Sequence, residues 1–199
     1  AQQVWARDPD DVGKRARRKQ LPISQKESQK WLASLEAVFS ARAECPTTRF
    51  VSVGDREADV YDVLAAARPE GVELLLRASW DRWVNAPERY VWATVEAHPV
   101  VEQLLLKVPR RGLQPGREAT LALRWCPLTL CPPRHRKREG LPEVSLWAVQ
   151  VGEIDPPTQV EPIEWLLLTT VAVQTVENAI ERIAWYPCRW SIEVWHRSL

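Results

Sequence analysis

Apolar residues recur with a helical period early in the chain, where they predict a helix that opens with the capping box Ser24–Glu27. The positions on its apolar face are Leu32, Leu35, Val38 and Phe39. The pattern then predicts a short strand at Phe50–Val53, a helix at about Arg56–Ala67 and a buried strand at Val72–Leu76. Strand, helix and strand in this order indicate a parallel βαβ unit.

Helical periodicity disappears between about Trp80 and Pro162. Short β-prone runs, separated by turns rich in Pro and Gly, take its place. These runs are Tyr90–Val95, Gln103–Val108, Ala119–Trp125 and Val144–Val151. Trp165–Thr170 predicts a further buried strand, and a helix follows with Val176, Ala179, Ile180 and Ile183 on its inner face. The whole pattern predicts an α/β core that is interrupted by an inserted antiparallel β subdomain.

Composition adds three points to this picture. Of the 199 residues 45% are hydrophobic, so the chain can bury a core, and no apolar run approaches the 18 residues of a membrane span. The formal net charge is +1, yet the basic runs Lys14–Lys19 and Arg134–Arg138 suit a polyanionic partner and solvated loops equally well. The chain has no Met and reaches Leu199 inside a helical pattern, so we expect an interior fragment of a longer protein.

Four carboxylates follow the strand Phe50–Val53, and the first of them, Asp55, stands at the carboxyl end of that strand. Ligands of open α/β sheets bind at this edge, but an Asp just before a helix is also a typical N-cap. The local pattern supports a cap and an active-site carboxylate equally. Glu57 and Asp59 fit the first-turn charges that a helix dipole favours, and Asp62 is expected to face solvent.

A second candidate constellation is the segment YPCRWSIEVWHR, near the end of the sequence. It predicts a helix from about Pro187, on which Arg189, Glu193 and His196 share one face and Tyr186 lies one turn earlier. Taken alone, Arg189 and Glu193 are explained more simply as a surface ion pair.

Together, the two stretches resemble the DDE cut-and-paste transposases of bacterial insertion sequences, specifically the insertion-sequence-four family. The family signature is Tyr, two residues, Arg, three residues, Glu, and then Lys seven residues on. Tyr186, Arg189 and Glu193 have this spacing, and the Lys position falls just after Leu199. The run DREAD at Asp55–Asp59 resembles the stretch with the family's second catalytic Asp, 138 residues before Glu193 (193 − 55). The segments KESQKW and EWLLLT extend the similarity over nearly the whole chain.

The resemblance implies an RNase H-like core, incomplete in this chain because the family's first catalytic Asp would precede residue 1. Its division would be residues 1–78 for the first part of the core, 79–162 for the β insertion and 163–199 for the last strand and helices. Because one carboxylate of the family's triad is missing, we expect the isolated chain to be inactive.

The resemblance also implies the chemistry. Asp55 and Glu193 would be two of three carboxylates that hold two Mg²⁺ or Mn²⁺ ions for phosphodiester hydrolysis and DNA strand transfer. Trp165 would stack on a flipped base, although its position beside Leu166–Leu168 also suits a core residue. The further DNA contacts carried over from the family are Arg77, Tyr186, Arg189, His196 and Arg197.

The expected partner is double-stranded DNA, both the transposon ends and the target, and the full-length protein is a candidate homodimer. The implied location is the bacterial cytoplasm, at the nucleoid, with no membrane association. Two alternatives stay open: a decayed, truncated remnant that only binds DNA, and a metal-independent β-rich binding module. The latter requires Asp55 to lie far from Glu193.

Overall fold

The computed structural model of the protein describes residues 28–108, 110 and 115–189. Several predictions fall outside these residues, namely the capping box Ser24–Glu27, the basic run Lys14–Lys19 and the site residues Glu193, His196 and Arg197.

Helices and strands alternate at first and give way to a run of strands. The helices are α1 (Gln29–Glu44), α2 (Tyr61–Ala65), α3 (Val91–Glu96) and α4 (Val176–Trp185). The strands are β1 (Phe50–Gly54), β2 (Val72–Arg77), β3 (Glu102–Val108), β4 (Arg117–Leu130), β5 (Val144–Glu153) and β6 (Glu164–Thr169). Short 3-10 helices lie at Arg56–Ala58, Arg134–Glu139 and Tyr186–Arg189. Among the described residues, no helix is both long and apolar enough to cross a membrane.

All six strands form one sheet in the order β1-β2-β6-β5-β4-β3. β1 and β2 are parallel, which confirms the predicted βαβ unit, and the other neighbours are antiparallel. β6 lies between β2 and β5, so the antiparallel strands of the middle region continue the sheet of β1 and β2. The mixed α/β class is therefore confirmed, and the RNase H-like arrangement stays a prediction.

Apolar side chains cover both faces of this sheet. On one face, α1, α2 and α3 pack over a core that includes Leu74, Leu76, Leu166 and Leu168. On the other face, α4 and Tyr186 pack over residues that include Leu75 and Leu167. The alternation follows from the two-residue period of a strand, and near-continuous apolar runs such as β2 and β6 are typical of strands buried on both faces.

One predicted strand, Tyr90–Val95, is wrong, because this segment forms the helix α3. Val91, Thr94 and Val95 are its buried residues, at the i, i+3 and i+4 spacing of a helix, and the Thr94 hydroxyl donates to the Tyr90 carbonyl. The β-branched side chains suggested a strand, but the segment forms a helix because a helix buries Val91, Thr94 and Val95 together against the sheet.

Two details of the predicted helices are also wrong. The helix at Arg56–Ala67 is broken: a 3-10 turn ends at Ala58, Asp59 and Val60 leave helical geometry, and α2 begins at Tyr61. In α4, Ile180 is exposed and Arg182 is buried instead. The Arg182 guanidinium lies 4.1 Å from the centre of the Trp185 ring, donates to the Ala172 carbonyl and pairs with the Glu181 carboxylate, so the buried charge has an aromatic face, a carbonyl and a counterion.

A partly buried ion pair links β4 to the end of β5 and predicts a pH-dependent stability. Arg117 makes a bidentate contact with Glu153, whose second oxygen also accepts from the Ile163 amide. The hydrogen bond from Arg117 lowers the pKa of Glu153 below its ordinary value. A carboxylate with a lowered folded-state pKa stabilises the fold above the unfolded-state pKa, about 4.3, and this contribution is lost as the pH falls through the folded-state pKa.

We therefore expect Glu153→Gln to lower the free energy of unfolding at pH 7, and the difference from wild type to shrink below about pH 4. Urea unfolding at a series of pH values measures this. Glu118→Gln, at an exposed position of the same strand pair, is the control and should show no such convergence. A difference that is constant from pH 7 to pH 3 would contradict the role of this ion pair.

Candidate functional site

Asp55 lies at the carboxyl end of β1, as predicted, and begins a tight turn. One of its carboxylate oxygens, Oδ1, accepts from the Glu57 amide at 2.9 Å and so caps the 3-10 turn Arg56–Ala58. The turn packs closely against the sheet: a Cβ on Gly54 would lie 2.5 Å from the Ala58 Cβ and 2.7 Å from Leu76 Cδ2. Glycine at this position therefore allows the close approach that fixes Asp55. The cap interpretation of Asp55 is confirmed, and its Oδ2 atom is left for other contacts.

Arg189, from the other end of the described chain, reaches the second oxygen. Its Nη1 atom lies 3.8 Å from Asp55 Oδ2, with side-chain exposures of 22% for Arg189 and 36% for Asp55. The separation is an ion-pair distance and is too long for a hydrogen bond. Asp55 and Arg189 were both predicted as site residues from the sequence. Although they are 134 positions apart (189 − 55), they meet at one edge of the sheet.

Three of the predicted DNA-contact residues form a single cluster beside Asp55. The ring of Trp165 meets the ring of Tyr186 edge-to-face, with centroids 5.3 Å apart and planes at 61°. The Arg189 guanidinium lies 5.2 Å from the centre of the same tyrosine ring. Tyr186 is only 1% exposed, so its ring belongs to the core and its hydroxyl does not face solvent. Trp165 is half-buried, which leaves part of its surface accessible.

Arg77 lies at the same sheet edge on the neighbouring parallel strand. Gly54 is the register partner of Leu76, so Asp55 and Arg77 occupy the next positions of β1 and β2. The Arg77 guanidinium donates to the Glu164 carbonyl at 2.9 Å, and this bond links the end of β2 to the start of β6. Arg77 therefore has a structural contact as well as a position at the candidate site.

Asp59 is the residue that sequence reasoning missed. It was expected to be a first-turn charge, but it is buried, with 2% exposure, and its carboxylate accepts from the amides of Ser79 and Trp80. The same carboxylate also accepts hydrogen bonds from Nε and Nη2 of Arg82. Nη2 donates to the Asp59 carbonyl as well. These bonds interrupt the predicted helix, because they draw Asp59 away from helical geometry towards the chain that leaves β2.

Asp62 was expected to face solvent, and this is wrong. Its two oxygens accept from Nη1 and Nη2 of Arg136 at 2.6 and 2.8 Å, and its side chain is mostly buried. Arg136 also pairs with Glu139, and these hydrogen bonds to Asp62 and Glu139 raise the pKa of Arg136. The middle arginine of the basic run Arg134–Arg138 therefore joins that turn to α2.

Glu57 is an exposed first-turn charge, as its sequence position suggested, and it pairs with Lys30.

Asp55 supplies one carboxylate that suits a metal ion. Asp55 presents a carboxylate oxygen towards a partly exposed edge, and hard oxygen ligands are those that Mg²⁺ and Mn²⁺ take. Within residues 28–108, 110 and 115–189, no group of three His, Cys, Asp or Glu side chains converges as a metal site would require. Glu193, the second predicted ligand, lies outside these residues. Asp55 thus fits as one ligand of a site that needs others.

Compared with models of known protein families, the chain matches none.

Proposed function

We propose that the chain is part of a DNA transposase catalytic domain, which carries out metal-dependent phosphodiester hydrolysis and strand transfer at transposon ends. The observation that supports this most is the meeting of Asp55 and Arg189 at the carboxyl edge of β1. The order of strands brings the Tyr-x-x-Arg turn over the end of β1, so Arg189 and Asp55 lie together at the edge where ligands of α/β sheets bind.

In this proposal Asp55 and Glu193 hold Mg²⁺ or Mn²⁺. When bound, the metal activates water or a DNA 3′ hydroxyl and stabilises the charge of the displacement. Glu193 follows Arg189 by four residues, and four residues span at most about 14 Å. The length of chain between Arg189 and Glu193 therefore permits a metal site shared with Asp55.

The remaining residues bind and orient DNA. Arg189 places a permanent positive charge beside Asp55, where a guanidinium suits bidentate contact with a phosphate. Arg77 adds a second cation on the next strand. The accessible side of Trp165 offers a stacking surface for a base. Tyr186 holds the Trp165 ring and the Arg189 guanidinium in place, and its buried hydroxyl contacts a phosphate only if the turn Tyr186–Arg189 opens.

Iron-mediated backbone cleavage tests whether Asp55 and Glu193 share one metal site, and it does not need an active enzyme. Fe²⁺ occupies Mg²⁺ and Mn²⁺ sites, and with ascorbate and peroxide it generates radicals that cut the chain near its ligands. We expect cuts near residue 55 and near residue 193 in the wild-type chain, competed away by excess Mn²⁺. Asp55→Ala and Glu193→Ala should each remove both cuts, because either ligand is needed for the shared site.

Glu57→Ala is the matched control, because it removes an exposed carboxylate two residues from Asp55 that is paired with Lys30. It should leave both cuts unchanged. Cuts that disappear independently, one with each variant, would mean that the two carboxylates do not share a metal. DNA binding without any shared metal site would support a remnant that only binds DNA.

A further inference from the structure

A second candidate site lies on the same side of the sheet as α2, between the turn Trp83–Arg89 and the basic turn Arg134–Glu139. It is an open cavity of about 430 Å³. Its lining includes the side chains of Trp83, Asn85, Arg89, Cys131, Arg134 and Glu143. None of these residues belongs to the Asp55 site, and the function proposed above leaves them without a role.

The cavity carries a stacked pair and an excess of positive charge. The Arg134 guanidinium lies 3.5 Å from the centre of the Trp83 ring. Among the described residues, neither Arg89 nor Arg134 has an ion-pair partner within 4 Å. The one carboxylate of the lining, Glu143, lies 3.8 Å from the Cys131 thiol. Two arginines without an ion-pair partner among the described residues therefore line a cavity that has one acidic residue in its lining.

The structure holds both walls of the cavity in place. Arg136, two residues after Arg134, is fixed by its bidentate contact with Asp62 on α2. On the other wall, the backbone amide of Asn85 donates to the Thr129 carbonyl, and the backbone amide of Cys131 donates to the Trp83 carbonyl. One wall is therefore tied to α2 and the other to the end of β4, so the backbone of both walls loses little conformational entropy when a ligand binds.

We propose that this cavity binds one unpaired nucleotide of a DNA strand, with the base on the outer face of the Arg134 guanidinium and the phosphate towards Arg89. A guanidinium plane that is backed by an indole ring is a stacking surface for a base, and a second arginine supplies phosphate contact. A bare phosphate patch needs neither the Trp83 ring nor a cavity of this size. The inference rests on the proposed function only in taking DNA as the polymer.

Binding of two fluorescent probes tests the proposal: a thymidine decamer and a decamer of the same length whose residues are abasic. We expect the wild-type chain to bind the thymidine strand at least about 5-fold more tightly, the lower end of what stacking on one base contributes. Arg134→Lys keeps the positive charge and removes the planar guanidinium. It should therefore abolish most of the preference for the thymidine strand and leave binding of the abasic strand unchanged. Arg134→Ala should weaken both.

Arg138→Ala is the matched control, since Arg138 is an exposed arginine of the same basic turn. It should weaken both probes equally and keep the preference for bases. Trp165→Ala checks the other stacking surface, at the Asp55 site. Equal binding of the two probes by the wild type would overturn the proposal, as would a preference that Trp165→Ala removes and Arg134→Lys does not.

Failure of this proposal and failure of the proposed function are distinguishable. Base-dependent binding that needs Arg134, together with independent iron cuts at residues 55 and 193, would remove the shared metal site and keep the nucleotide pocket. A shared metal site together with equal binding of the thymidine and abasic strands would keep the metal site and remove the nucleotide pocket.

Discussion

Asp59→Ala is expected to lower the free energy of unfolding by about 3–5 kcal/mol, because it removes one partner of a buried ion pair. The Arg82 side chain is itself nearly buried and would keep its charge without a counterion. The amides of Ser79 and Trp80 would lose their acceptor as well. An unsatisfied buried donor costs about 1–3 kcal/mol, so these losses reinforce each other.

Urea unfolding followed by far-ultraviolet circular dichroism measures this loss. Asp81→Ala, which removes an exposed carboxylate next to Arg82, is the matched control and should cost about 1 kcal/mol or less. In the double variant Asp59→Ala/Arg82→Ala the combined loss should be smaller than the sum of the single losses, since no charge is left buried alone. An Asp59→Ala loss equal to that of Asp81→Ala would contradict the role given to Asp59.

The same bonds bear on the candidate site. Asp59 ends the turn that Asp55 begins, and through Ser79, Trp80 and Arg82 it ties this turn to the chain that leaves β2. Loss of the Asp59 carboxylate therefore frees the turn at the end opposite to Asp55. The position of Asp55 depends on two contacts, the Glu57 amide inside the turn and the close packing of Gly54 on Ala58 and Leu76.

Asp59 also illustrates what the sequence could not predict. Its partners lie 20 to 23 residues further along the chain, and no local pattern encodes them. Asp59 is the fourth residue of the helix predicted at Arg56–Ala67 and so suits a first helical turn, for which the helix dipole gave an adequate local explanation. The strands β1, β2 and β6 were predicted because their signal is local: short apolar runs between turn residues.

The errors have the same physical origin in other elements. Tyr90–Val95 has β-branched residues but packs one helical face on the sheet, and tertiary packing overrode propensity. Asp62 sits on an outward-looking position of α2 and is covered by Arg136, 74 residues later. β4 continues through Pro127, beyond the predicted end at Trp125. Pro127 is tolerated there because β3 pairs with β4 only as far as Leu123.

The candidate site was predictable only by combining distant motifs. Residue chemistry alone supported a cap and a metal ligand equally at Asp55, and the structure confirms the cap at Oδ1 and brings Arg189 to Oδ2. The contact with Arg189 depends on the order of strands in the sheet, which brings the end of α4 back over β1. The nucleotide pocket has no sequence signature, since one wall is a turn bonded through its backbone to the end of β4 and the other is a 3-10 helix.

Tyr186→Ala is expected to lower the free energy of unfolding by about 3–5 kcal/mol, the range found when large aromatic residues are truncated in a core. Tyr186 is 1% exposed and contacts both Trp165 and Arg189, so the cavity would open directly beneath the proposed DNA-binding residues. Chemical unfolding measures the loss of stability. Tyr90→Ala, at a tyrosine with 45% exposure, is the matched control and should cost about 1 kcal/mol or less.

Tyr186→Phe separates packing from hydrogen bonding at this position. It keeps the ring that meets Trp165 edge-to-face and removes only the hydroxyl, so we expect a loss of about 1.5 kcal/mol or less. Affinity for DNA with a flipped base should follow the same order, near wild type for Tyr186→Phe and reduced for Tyr186→Ala, because Trp165 and Arg189 depend on the ring. Equal losses of stability in the two variants would assign the role of Tyr186 to its hydroxyl. A full loss of DNA affinity in Tyr186→Phe would mean that the hydroxyl contacts a phosphate, which requires the turn Tyr186–Arg189 to open when DNA binds.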